Sequence, residues 1–436
     1  MAVAQDTAGT AEPARALAGR HILAATIGNA LEFYDFITYS FFAIQIGHAF
    51  FPAKGAFASL MLSLATFGVG FVTRPIGGFV IGTYADKVGR RAAMMMSFIM
   101  MGAAIIGMAL IPSYASIGIA APILAILARM VMGFSLGGNV GANTAYLMEA
   151  AAPERRGFAV SWQGVSQAIA GTIGAGVGMV LSTILSAQEL DAYGWRIAFL
   201  LGAVTLPFGL FLRRTMPETL HRPEETGALR EATDMQLARA SVRIFWMGLV
   251  ILGAGTINTY ATDYITTYAQ NTLHMAAGVS FFAGVVANAT AAIGVLVGAV
   301  VSDRTGRRPV MIWWNFAGIL LTYPIFWWIV AAHASAPLLL GMLVFAFVSN
   351  VWQGAFYVAF IELLPKRIRG RAFAIIYACS IAFFGGTTQL VITWLLEGTG
   401  NPLSPAWYLI GSAVIAQVAI VLMPESAPAV VAPRAR

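Results

Sequence analysis

Charge is scarce in this sequence. Only 10% of its 436 residues are Asp, Glu, Lys or Arg, while 59% are hydrophobic and the mean hydropathy is +0.77. Soluble domains carry roughly a quarter charged residues, so a water-soluble fold is excluded at the outset. Cysteine is nearly absent too, and the single Cys379 excludes a disulfide framework and a Cys-based zinc site. Histidine is sparse: His21, His48, His221, His274 and His333 all fall in loops or at the ends of apolar runs. An intramembrane enzyme needs a nucleophile with its base, or a metal cluster, at membrane depth. No histidine sits there with a partner, so neither catalysis nor a resident metal or cofactor is expected. The first twenty residues lack a basic stretch feeding a short apolar run and a cleavage site, so no removable signal peptide is expected either. The net charge of +7 is spread over many loops and not gathered on one polar face, which counts against nucleic acid as a partner.

What is present is a series of long apolar runs. Crossing a hydrocarbon core takes about 20 such residues per helix, and twelve candidates satisfy that length: 22–47, 57–84, 92–111, 117–148, 157–186, 193–214, 243–271, 277–302, 309–331, 336–363, 370–397 and 404–424. Each keeps irregular backbone out of the apolar interior, as a bilayer requires. The expected fold is therefore an all-α membrane protein of twelve transmembrane helices.

Orientation follows from the basic residues, because short loops rich in Lys and Arg stay cytoplasmic. Arg15 and Arg20, Lys87 with Arg90 and Arg91, Arg155 and Arg156, the cluster from Arg213 to Arg243, Arg304 with Arg307 and Arg308, Lys366 to Arg371, and Arg434 with Arg436 all fall on one side. Lys54, Arg74, Arg129 and Arg196 are the exceptions, and two of them lie inside spans. Both termini are thus expected in the cytoplasm, in a multi-pass protein of the inner or plasma membrane.

The chain also repeats itself weakly. Asp86-Lys87-x-Gly89-Arg90-Arg91 after span 2 is echoed 217 residues on by Asp303-Arg304-x-Gly306-Arg307-Arg308 after span 8. Glu149 and Gly157, flanking Pro153, Arg155 and Arg156, are echoed by Glu362 and Gly370, both 213 residues on. Two loops with nearly one period imply two pseudo-symmetric six-helix halves. The expected organisation is a tail at 1–21, a first half at 22–214, a cytoplasmic linker at 215–242, a second half at 243–424 and a tail at 425–436. Neither tail is long enough to hold an output domain, which disfavours a receptor or sensor of the same shape. A basic anchor loop needs neither the acid nor its repeated spacing, whereas an Asp beside Arg at a helix end forms a releasable latch. Asp86, Arg90, Arg91, Asp303, Arg307 and Arg308 are the candidates for that latch, with Glu149, Arg155 and Glu362 beside them.

Ionisable groups inside a span cost about 2.5–3.5 kcal/mol each on insertion scales, and they face a cavity or a partner. Glu32, Asp35, Arg74, Arg129 and Asp263 are such groups. Gly28, Glu32, Asp35 and Tyr39 share one face of span 1 by their spacing. At 1.5 Å per residue, Glu32 and Arg74 lie at comparable depth, and Asp35 and Arg129 both fall toward the outer half, so ion pairs are expected within these sets. Such pairs either lock helices together or exchange protons as a substrate borrows the arginine. Arg129-x3-Gly133-x3-Gly137-Gly138 in span 4 has the spacing that lets a neighbouring helix approach closely. Gln163 and Gln167 in span 5 are open to substrate or to a neighbouring helix. Asn258, Tyr260, Tyr264, Asn288, Asn315, Asn350, Gln353 and Gln389 supply neutral polar groups in the second half, and Asp263 is either a cavity residue or a wetted one.

The Asp-x-x-Gly-Arg-Arg loops resemble the signature of the major facilitator superfamily, and the likeness covers the whole chain. It implies that the latch loops are gates and that span 4 serves proton coupling; Ala299 stands where the second copy of the loop would have glycine. Gly28-Asn29-Ala30-Leu31-Glu32-Phe33-Tyr34-Asp35-Phe36, Arg74-Pro75-Ile76-Gly77, Ser161-Trp162-Gln163 and Gly194-Trp195-Arg196 resemble the metabolite:proton symporters. His48-Ala49-Phe50-Phe51-Pro52, Phe384-Gly385-Gly386 and Pro405-Ala406-Trp407 are similar to the citrate and tricarballylate carriers within that family. The resemblance implies proton-driven uptake of a di- or tricarboxylate by a monomer, with Arg74 and Arg129 on the carboxylates and Glu32 or Asp35 carrying the proton, which is the coupling ion in place of any cofactor. Met132 and Asn139 stand where the family has Gln and an acid. That loss puts the substrate and the proton stoichiometry in question, and with Asp263 it leaves a zwitterion such as a betaine open. An exporter of organic acids or drugs is the remaining transport alternative.

Overall fold

A computed structural model describes residues 19–431, apart from 54, 89, 138–143, 145–146, 148–150, 152–154, 205, 208–233 and 365–368. Helices occupy every one of the twelve predicted spans. Among the described residues eight helices are long and apolar enough to cross a bilayer, and spans 3 and 4 contribute shorter apolar helices, Met95–Leu110 and Ala120–Leu136. Span 1 is interrupted at Phe42, between Gly19–Phe41 and Ala43–Phe50. Span 6 opens with a widened turn, Leu190–Gly194, ahead of Trp195–Gly202. Most of the expected 215–242 linker lies outside the described residues, but span 7 begins earlier than expected, at Asp234.

Proline shapes span 2. Pro75 has no N–H for the helix ladder, and the ladder is interrupted at Thr73, between Ala56–Val72 and Arg74–Val88, while the backbone stays helical there at φ −82° and ψ −15°. The Thr73 hydroxyl donates to the carbonyls of Gly70 and Met130, at 3.0 and 2.8 Å, and ties the break to span 4. Spans 2 and 4 meet backbone to backbone. A Cβ on Gly77 would lie 1.9 Å from the Phe134 carbonyl oxygen, and one on Gly137 2.0 Å from that of Arg74. The span 4 glycine spacing therefore performs as expected, with span 2 as the partner. The second half repeats the device: Gly298 and Gly354 lie against the carbonyls of Val351 and Val295 between spans 8 and 10.

The halves pack along spans 5 and 8, which run antiparallel. Gly157, Gly164, Gly171 and Gly178 face Asp303, Val295, Asn288 and Phe281 in turn. These glycines recur every seven residues, two helical turns, so one side of span 5 is a smooth strip. Spans 2 and 11 meet at Gly68 and Gly386. Contacts between halves occur at both ends of span 8, Phe42 against Phe281 with ring centroids 5.1 Å apart and Gly157 against Asp303. The central site lies between these two contacts.

Candidate functional site

Arg74 and Arg129 are both buried, with 3% and 0% exposure. Arg74 follows the interruption at Thr73, and the close approach of spans 2 and 4 brings Arg129 alongside. The Phe36 ring of span 1 is common to both: each guanidinium carbon lies 4.2 Å from its centroid. Phe71 stands 4.5 Å from Arg74, and Tyr39 and Phe67 stand 4.5 and 5.1 Å from Arg129. Aromatic faces attract cations by about 2 kcal/mol or more when both are desolvated. That attraction leaves the N–H groups unsatisfied. Among the described residues the Arg74 nitrogens make no well-formed hydrogen bond, the Tyr260 hydroxyl being their one near acceptor; Nη1 of Arg129 reaches only the Met132 sulfur, at 3.6 Å, and its Nε and Nη2 reach nothing.

This arrangement corrects the expected ion pairs. Glu32 and Arg74 feel one another electrostatically, as do Asp35 and Arg129, but neither pair is joined by a hydrogen bond. The reason lies in span 1, where Phe36 and not an acid turns toward the arginines. Asp35, one residue and about 100° away, turns to span 6, where a Cβ on Gly202 would lie 1.6 Å from its carboxylate. Tyr260 and Tyr377 are the electrostatic neighbours of Arg74 from the second half.

The two span 5 amides differ. Gln163 exchanges bonds with Asn29, which also reaches Ser166 at 2.6 Å, so this glutamine joins spans 1 and 5. Gln167 donates to the Tyr377 hydroxyl across the halves, at 3.0 Å, and lines a central cavity. That cavity, about 30 Å³, is bounded by spans 1, 5, 7, 8 and 10. Asp263 is its one acidic lining residue, which sets aside the wetted reading, since it is 1% exposed.

At the Asp303 end of the bundle the expected latch is assembled in part. The Asp303 carboxylate accepts the backbone N–H groups of Gly157 and Phe158, at 3.0 and 3.1 Å, at the start of span 5 in the other half. Free N–H groups and the positive end of the helix dipole favour an anion there. Arg307, fully buried, pairs with Asp303 and lies 3.4 Å from Glu362. Gly306 makes the turn between them at φ +105°, a conformation that glycine adopts without strain. Arg308 departs from expectation: its guanidinium donates to the Val421 carbonyl and not to an acid. Arg155 precedes the span 5 helix and is exposed. Asn139 and Glu149, and the side chains of Asp86, Arg90 and Arg91, lie outside the described residues.

A family model described as the Major Facilitator Superfamily matches residues 25–387. This chain belongs to that superfamily. Within it the facilitator falls in the metabolite:proton symporter family. It is 35% identical to a citrate-proton symporter of Salmonella typhi over 94% of this chain and 95% of that one. A glycine betaine, proline, ectoine and pipecolic acid transporter of Dickeya dadantii is 33% identical over 93% and 83% of the two chains, and an alpha-ketoglutarate permease of Escherichia coli is 34% identical over 91% of each. The xylose transporter of Escherichia coli, solved partially occluded and inward-open, superposes with a TM-score of 0.75 at 17% identity, covering 93% of this chain and 97% of that one. The facilitator is thus a multi-pass, proton-coupled symporter of a small molecule, and not an enzyme.

Several participants were not singled out in the sequence. Phe67 and Phe71 look like ordinary core residues, and no local pattern marks Gly202 as the seat of Asp35. Glu425, which accepts the N–H groups of Arg307 and Arg308 at 2.9 and 3.0 Å, follows span 12 without any motif. The seven-residue glycine period of span 5 is the one signal that was there to be read.

Proposed function

We propose that this symporter takes up a small organic carboxylate such as citrate, tricarballylate or another di- or tricarboxylate, by alternating access driven by an inward proton gradient. The observation that carries the reading is the pair of buried guanidinium groups, most of whose N–H donors meet no acceptor. Carboxylates bind Arg through paired, charge-assisted hydrogen bonds, and unsatisfied buried donors are costly until an acceptor arrives. In this reading Arg74 and Arg129 hold the solute, with Tyr39, Gln163, Gln167 and Asn139 contributing polar contacts. Glu32 and Asp35 carry the coupled proton. Asp303, Arg307, Glu362 and their first-half counterparts Asp86, Arg90, Arg91, Glu149 and Arg155 form the cytoplasmic gate, with Arg308 bracing it against the Val421 carbonyl of span 12. The carrier works as a monomer in the inner membrane with both termini inside, its halves at 22–214 and 243–424 joined by 215–242.

The test is uptake of labelled citrate, tricarballylate and 2-oxoglutarate into liposomes holding the purified protein under an inward proton gradient. Accumulation of a carboxylate that collapses with a protonophore is expected. Accumulation that survives the protonophore would overturn the proton coupling, and no carboxylate movement at all would overturn the substrate class. A zwitterion such as a betaine is the second reading, favoured by the buried Asp263 on the cavity wall; uptake of proline betaine alone would select it.

A further inference from the structure

We propose that Asp263 is a second proton-carrying carboxyl of this symporter, in the half opposite the arginines, and that Asn288 converts its protonation into a change at the contact between the halves. The inference rests on the symport reading above and adds a site to it. Asp263 ends the long span 7 helix, just before the break at Tyr264, and presents its carboxyl to the central cavity. One oxygen accepts a long bond, 3.4 Å, from the Asn288 side-chain amide; the other has no partner. The groups around it are neutral. Span 10 faces it with Tyr357, span 5 with Gln167, span 8 with Asn288 and span 1 with Ile37, none of them a cation. Tyr260 lies one turn back on span 7, with Arg74 beyond it. A carboxylate shut away from both water and a cation is strongly disfavoured. The proton therefore stays with Asp263 while the cavity is closed and leaves when the cavity opens to water.

Asn288 supplies the link. Its NH2 group donates to Asp263 and, at 3.1 Å, to the Gly284 carbonyl, while its amide oxygen faces Gly171 of span 5, where a Cβ would come within 2.2 Å. A protonated Asp263 fits this geometry: its proton sits on the unpartnered oxygen, and the other oxygen accepts the long bond from the NH2 group. Loss of the proton to an opened cavity charges the carboxylate and strengthens its pull on that NH2 group. The same carboxamide abuts Gly171, so the charge on Asp263 is read at the contact between the halves.

The experiment compares wild type with Asp263→Asn and Asp263→Glu, each as the full chain in liposomes. The first readout is the ratio of proton-driven citrate accumulation to citrate exchange without a gradient; it is expected to fall at least about tenfold in D263N, with fewer protons moved per citrate, and to recover in D263E. The second is solute-free: infrared difference spectra between about pH 5 and about pH 9 should show a titrating carboxyl band in wild type that D263N lacks. Wild-type protein without such a band, or D263N with it intact, overturns the inference whatever the solute. An unchanged proton:citrate ratio in D263N overturns it as well, as does a D263N defect confined to betaine, which would assign the carboxylate to a cationic solute group. If wild type moves no carboxylate, the substrate reading fails, and the infrared band alone decides the proton site.

Discussion

The two halves share a scaffold and differ in charge. Gly77 and Gly137, which let spans 2 and 4 touch, correspond at the 217-residue offset to Gly294 and Gly354, which do the same for spans 8 and 10. Thr73 corresponds to Thr290 in the same way. Arg74 and Arg129 correspond to Ala291 and Ala346, and Ala291 lines the cavity. The backbone contacts are common property, whereas among the described residues the buried cations without a carboxylate hydrogen-bonded to them, Arg74 and Arg129, lie in the first half; buried Arg307 of the second half is paired with Asp303. In the carboxylate reading proposed above, symmetry serves the motion and asymmetry the solute.

The most damaging way to test that division is to remove its charge. Arg129→Ala should lower carboxylate uptake by at least about a hundredfold, since a buried charged partner is worth roughly 2–5 kcal/mol. Arg129→Lys should not restore it, because a point charge on a flexible stem does not reproduce the planar fork held among Phe36, Tyr39 and Phe67. Transport assays and solute-dependent thermal shifts check both.

Next comes the shared scaffold. Gly77→Ala and Gly294→Ala place a methyl group 1.9 and 2.7 Å from a backbone carbonyl oxygen. Both should destabilise the purified protein, by roughly 1–3 kcal/mol, the first more than the second. Gly107, with open space around it, should accept Ala without loss. Equal tolerance in both halves would break the comparison.

A smaller effect is expected at the gate. Asp303→Asn removes a charge that bridges the halves, whereas Glu362→Gln alters a contact within one half. Spin labels at the adjoining ends of spans 5 and 8 should show the open population rising about five- to thirtyfold in the first variant, from the loss of about 1–2 kcal/mol, and little changed in the second.

The smallest effect lies at the opposite end, where His48, just past span 1, bonds Asp191 of span 6 at 2.8 Å. The hydrogen bond to that carboxylate raises the His48 pKa above its ordinary 6.5, against a smaller opposing effect of burial. A raised pKa in the folded state stabilises fully below the unfolded value and is lost as pH rises through the folded one. Both groups are about half exposed, so the gain is only about 0.2–1 kcal/mol. Thermal unfolding of wild type and Asp191→Asn should differ most below the ordinary His value of 6.5 and converge as pH rises through the raised one.

The spans were legible because bilayer thickness sets a length that apolar runs must meet, and the paired loops because their charges repeat at one period. The contact of Gly133 and Gly137 with span 2 was legible because small residues at fixed spacing have one physical use in lipid. Partner choice inside the site was not. Spacing puts Glu32, Asp35 and Tyr39 on one face, but a face of a helix is broad, and Phe36 sits at its edge. Which of these meets an arginine depends on how far spans 2 and 6 close in, and that is decided by Gly70 and Gly202, residues remote in sequence. Arg196 shows the same limit: it sits outside the basic side because its guanidinium caps the carbonyl of Ile111 at the end of span 3, at 2.9 Å.

Two guanidinium groups faced mainly by aromatic rings have a kinetic corollary. If the solute is a carboxylate, the empty carrier must reorient with most of those N–H donors short of an acceptor, whereas in the loaded carrier the solute supplies one. The unladen return is then the slow leg of the cycle, and solute waiting on the far side should hasten it. One-for-one swapping of carboxylates across the membrane is expected to outpace net entry, a trans-stimulation rooted in the placement of a single phenylalanine.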